Sequence, residues 1–148
     1  PLPFGYFNLG DIFVLLGAWI LPAFLGGLAA GLGTAIADLF MGYALYAPAT
    51  FLIKFLVGVC AFYLYRVFKR LIAKSSLEFL PRAVSAILAE SVMILGYFFI
   101  ESVCLGYGLG ATASLLGNGL QGLCGVIGSV GIISALSPIP AVKNLFKV

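Results

Sequence analysis

Apolar runs of thirteen to twenty-seven residues follow one another along the chain, and polar residues interrupt them at a few isolated positions. Five runs stand out, at about 9–21, 22–40, 49–67, 83–107 and 110–136. A helix needs roughly 20 apolar residues to cross a bilayer, so four of these are long enough. The first is short, and predicts a tilted helix or one continued beyond Pro22. Turn signals separate the runs: Pro22, the MGYALYAPAT stretch from Met41 to Thr50, and a basic stretch at 66–82. The expectation is an all-α membrane protein, a single integral membrane domain over 1–148 built as a bundle of five spans.

Composition agrees with the pattern. Of 148 residues, 63% are hydrophobic and 9% charged, against roughly 25% charged in a soluble domain. With no histidine, triads that use an imidazole base and HExxH zinc sites are excluded. Cys60, Cys104 and Cys124 lie far apart in apolar stretches and read as small buried side chains, not as metal ligands or a redox pair. No metal and no cofactor is expected. The net charge of +3 does not point to nucleic acid, because seven of the eight basic residues fall at two places: Arg66, Lys69, Arg70, Lys74 and Arg82, then Lys143 and Lys147. The positive-inside rule sets both in the cytoplasm. The chain then starts outside and ends inside, which requires an odd number of spans. Because it begins at Pro1 with no signal peptide, one further helix upstream is expected, giving six in the full protein.

The polar residues inside the runs carry the functional argument. Glu90, Tyr97 and Glu101 are seven and four residues apart, and so fall along one helix face. Ionisable groups in lipid cost a few kcal/mol or more, so that face should look into a wet cavity or the bundle interior. Lys54 is twelve residues, or roughly 18 Å, from Arg66, too deep to snorkel to that end. It needs an internal anion: Asp38, Glu90, Glu101 or a ligand. Asn118 and Gln121, three apart, form either an interhelical clamp or a donor and acceptor set for a ligand. Asn8 and Asp11 read as helix caps or as a polar lid over a ligand. Ala23, Gly27 and Gly31 form a stripe of small residues on which another helix can approach closely, within the chain or on a separate membrane subunit.

Four segments resemble a known family: GYFNLGD (5–11), ADLFMGYALYAPATFLIK (37–54), ESVMILGYFFIE (90–101) and GNGLQG (117–122). In this order they are similar to the substrate-binding S components of energy-coupling factor (ECF) vitamin transporters, in the riboflavin-type or hydroxymethylpyrimidine/pyridoxine-type branch. The resemblance implies a six-helix bundle that captures a vitamin or precursor from outside, beneath the loop joining the first two helices. It also implies partners, a transmembrane coupling subunit and two ATPase subunits, with toppling in the membrane to release substrate. The family's first helix, with its docking motif, is absent from this chain.

The substrate-binding set expected from residues and resemblance together is Asn8, Lys54, Glu90, Tyr97, Glu101, Asn118 and Gln121, with Phe4, Tyr6 and Phe7 able to stack on a flat heterocycle. The same residues admit two other classes. An intramembrane enzyme would use Glu90 and Glu101 as acid and base, yet eleven residues set them about 16 Å apart, too far for a dyad. A stand-alone proton-coupled carrier would transport without ATPase partners. The absence of a GxxxxGK[ST] run fits a subunit that leaves ATP to others.

Overall fold

A computed structural model describes residues 8–72 and 79–140. Within them the chain is helical, with no strand: α1 (Gly10–Ile20), α2 (Ala23–Phe40), α3 (Ala47–Leu71), α4 (Leu80–Phe99) and α5 (Thr112–Leu136). A π-helical segment, Ile100–Cys104, continues α4, and a 3-10 turn, Gly108–Ala111, leads into α5. Four helical stretches, Ala23–Phe40, Ala47–Leu71, Leu80–Cys104 and Gly108–Leu136, are long and apolar enough to cross a membrane. Phe4, Tyr6, Phe7, Lys74, Lys143 and Lys147 lie outside the described residues.

The bundle is inverted relative to a soluble protein. Large apolar side chains such as Phe13, Phe24, Leu95 and Leu116 face outward. Alanines and glycines draw the helices together inside, the arrangement expected where lipid is as apolar as leucine. Gly27 and Gly31 lie against α3 of the same chain: a Cβ added at Gly31 would come 2.7 Å from the Phe51 carbonyl oxygen, and one at Gly27 2.9 Å from that of Phe55. Gly58 returns the contact, since its added Cβ would meet the Gly27 Cα at 3.0 Å. The small-residue step is therefore occupied by an internal helix pair, while Ala23 at its start is only half-buried.

On α5, glycines do the same for α1. An added Cβ would fall 2.9 Å from the Asp11 Cβ at Gly125 and 2.6 Å from the Ile12 Cδ1 at Gly128.

Helix α1 ends where Pro22 demands it: Leu21 is extended at φ −90° and ψ 157°, as the residue before a proline prefers. The helix is not continued beyond the proline. Eleven residues rise about 16 Å, half of a hydrocarbon core. α1 packs on α2, α3 and α5, and buries Leu15 and Ala18 completely. Its two ends register against α3 at Lys54 and at Phe62 to Arg66, so it begins below the start of α3 and not level with it.

The basic stretch differs from its expected form as a loop over 66–82. α3 continues to Leu71 with Lys69 and Arg70 in its last turn, where the dipole favours cations, and α4 starts at Leu80 with Pro81 in its first turn. Arg66 and Arg82 are thus helical residues, and Arg82 is buried. Cys104, expected inside, is exposed; Cys60 and Cys124 are half-buried.

Candidate functional site

At the end of the bundle away from Arg66 and Lys69, the helices part around a cavity of about 470 Å³, open mouth included. α3 contributes Thr50 and Lys54, α4 Tyr97, and α5 Asn118 and Gln121. Glu101 enters from the π-helical segment, Thr34 and Asp38 from α2, Tyr43 and Tyr46 from the turn after it, and Asn8 from the segment before α1. Six of the seven residues expected to bind substrate share this one space. Glu90 does not line it.

The floor is a buried ion pair. Lys54 Nζ bonds Asp11 Oδ1, with 2% and 1% of the two side chains exposed. Gln121 Nε2 donates to the second carboxylate oxygen at 2.7 Å, and its own Oε1 accepts the Asn8 backbone N–H at 3.0 Å. One hydrogen-bonded chain thus ties the N-terminal segment, α1, α5 and α3 together. The counter-ion of Lys54 is Asp11, and none of Asp38, Glu90 or Glu101. The reason is axial: because α1 starts low against α3, a residue of its first turn sits at mid-bundle depth and not at the surface. Asp11 therefore satisfies a charge instead of capping a helix. The Asn8 side chain does meet the helix start, accepting the Gly10 N–H at 2.6 Å.

Met93 seals the floor. It is fully buried, with its sulfur 2.8 Å from Lys54 Nζ and 3.6 Å from Gln121 Nε2. Glu90, about one turn deeper on α4, falls beneath this layer against the α5 glycines, where an added Cβ at Gly122 would reach its Cβ at 3.2 Å. It is 3% exposed, and neither carboxylate oxygen has a hydrogen-bond partner among the described residues. Facing the same side as Tyr97 is not enough, because the cavity ends above it.

The walls are polar and largely committed. The Tyr97 hydroxyl donates to Thr50 Oγ1 at 3.0 Å, and its ring centroid lies 5.8 Å from Lys54 Nζ. The Ser114 hydroxyl donates to Glu101 Oε2. Glu101 is carried by a widened turn in which the Leu105 N–H reaches the Ile100 carbonyl at 2.9 Å, an i to i+5 bond of the kind often found at functional sites. Tyr43 and Tyr46 meet edge to face, with centroids 6.3 Å apart. Burial first, then the charge of Glu101, pushes the Tyr46 phenol above its ordinary range, so it keeps its proton. Asn118 alone among the amides lines the cavity with no hydrogen bond within the described residues.

Sequence reasoning read Asp11 as a cap or a lid and missed it as the partner of Lys54, and it missed Thr34, Tyr43, Tyr46 and Thr50 as walls. Tyr43 and Tyr46 fall in the stretch read as a turn, and a turn signal does not say which way its side chains face. For Asp11 one signal was available: a carboxylate within an apolar run needs a partner as much as Lys54 does.

Against this geometry, comparison with known proteins is decisive. The profile of the ECF-type riboflavin transporter S component matches residues 1–138. The chain belongs to that family. As an S component it is a membrane-embedded transporter subunit for vitamin uptake and not an enzyme. It is also similar to an uncharacterized protein in a gap 3' region of Pyrococcus woesei, 33% identical over 135 residues, covering 90% of this chain and 84% of the relative. No solved structure matches it.

Proposed function

We propose that this S component captures a flat, hydrogen-bonding vitamin or vitamin precursor, riboflavin first among them, from outside the cell, and releases it inward with a coupling subunit and two ATPases. The observation that carries the reading is the convergence of polar side chains from seven segments on one cavity inside an otherwise apolar bundle. The family profile supports riboflavin as the ligand class.

Each wall has a role in that reading. The uncommitted Asn118 amide offers a donor and an acceptor to a ring edge. Tyr43 and Tyr46 supply aromatic faces. Lys54 and Gln121 present the floor, held rigid by Asp11, so a ligand meets donors already ordered. Outward opening is supported by the basic residues: Arg66, Lys69 and Arg70 crowd the opposite end, which the positive-inside rule assigns to the cytoplasm, and with it the C-terminus. Glu90, below the floor, is not part of the proposed contact set.

Mass spectrometry of the purified, undenatured protein tests this. The reading expects a copurifying vitamin-sized molecule, displaced by added riboflavin, pyridoxine or hydroxymethylpyrimidine according to the true substrate, and lost from Asn118→Ala and Glu101→Ala variants that still insert in the membrane. Undiminished binding in both variants would remove the cavity from the function.

A further inference from the structure

A second cavity lies at the basic end of the bundle, remote from the first. It spans about 710 Å³, open mouth included, between the α1–α2 turn (Trp19, Ile20, Leu21, Pro22) and the last turns of α3 (Phe62, Tyr65, Arg66). Its two sides differ in chemistry. Ile20, Leu21 and Pro22 make an exposed apolar wall. Opposite them the Arg66 guanidinium sits over the Phe62 ring, 3.9 Å from its centroid, a cation–π contact that holds the donor fork beside the cavity. No carboxylate pairs with Arg66 among the described residues.

Two further cations surround the same aromatic floor. Lys69 Nζ and the Arg82 guanidinium stand 5.7 and 5.2 Å from the Tyr65 ring, which packs 6.2 Å from Trp19. Trp19 itself is 5% exposed, and its indole N–H has no hydrogen-bond partner among the described residues. A buried donor left unmade costs about 1–3 kcal/mol, so a lining residue of this kind points to an acceptor supplied from elsewhere.

We propose that this cavity holds the headgroup of one anionic phospholipid. Its phosphate accepts from the Arg66 fork and the Trp19 N–H, and its first acyl carbons lie along Ile20, Leu21 and Pro22. Charge complementarity selects an anion, and the apolar wall beside the cations selects an amphiphile over a free ion. Basic pockets between membrane helices recognise anionic headgroups in this way.

Trp19 is the chain's one tryptophan, which makes it a built-in reporter. With the protein in phosphatidylcholine vesicles, a small fraction of brominated phosphatidylglycerol should quench its fluorescence roughly fivefold more strongly than the same fraction of brominated phosphatidylcholine, the preference one cation confers. Arg66→Gln should erase that preference, and Arg70→Gln, exposed at the same end, should retain it. In mass spectrometry under non-denaturing conditions, Trp19→Phe, which keeps a ring and loses the donor, should retain less phosphatidylglycerol than the parent protein. Equal quenching by the two lipids, an undiminished preference in Arg66→Gln, an equal loss in Arg70→Gln, or unchanged retention in Trp19→Phe would each overturn the proposal. So would loss of the preference on adding inorganic phosphate, which would assign the site to the free anion.

Discussion

Lys54 is the residue on which the site stands. A buried charge whose partner is removed costs about 3–5 kcal/mol, whereas replacing both members by apolar groups is often neutral. Asp11→Ala is therefore expected to lower thermal stability in detergent sharply, and Asp11→Ala with Lys54→Met to recover most of the loss, as read from paired melting curves. Similar melting of the single and double variants would show that the pair is not coupled. Glu90 is the opposite case. With both oxygens unpartnered among the described residues at 3% exposure, its carboxylate adds no hydrogen bond there that Glu90→Gln would lose, and that variant is expected to melt no lower than the parent and to bind ligand unchanged. Reduced binding by Glu90→Gln would place it back in the cavity. The need of Lys54 for an anion was legible in the sequence, because twelve residues from the basic end are too many for its side chain to snorkel there. Which anion answers it was not, since that depends on how far α1 slides along α3, and no residue spacing records the offset.

Helix contacts carry the next set of expectations. Gly31 and Gly33 lie two residues apart on α2, yet an added methyl at Gly31 would meet the Phe51 carbonyl at 2.7 Å and one at Gly33 meets nothing within 4 Å. Gly33→Ala is expected to raise stability by about 0.5–1 kcal/mol through helix propensity. Gly31→Ala is expected to lower it by about 1–3 kcal/mol, because a backbone carbonyl cannot step aside. Thermal melts of the two variants side by side decide it; an equal response would mean α2 and α3 are not in close contact. The small-residue stripe was visible in the sequence, but not the neighbour it serves. Run lengths located the four long helices to within a few residues, while the π-helical turn at Ile100–Cys104 left no mark, because a widened turn uses the same apolar residues as a regular one.

At the scale of the molecule, the two ends of the bundle have different chemistry. One gathers amides, hydroxyls and carboxylates around a hollow, and the other gathers cations around aromatic rings. Hydropathy and charge made this polarity legible before any coordinate: the basic residues cluster at one set of helix ends, and the polar residues that remain had to meet somewhere. What the spacing of residues could not supply was the depth of the floor, set by the Met93 side chain against Lys54. The most direct test of the central claim is a titration of the purified protein with riboflavin, followed by quenching of flavin fluorescence, beside an Asn118→Ala variant of equal stability. Saturable one-to-one binding, weakened at least about tenfold in the variant by loss of one desolvated hydrogen-bonding group, is the expected result. Binding of equal strength in both proteins would contradict the account and put the vitamin elsewhere.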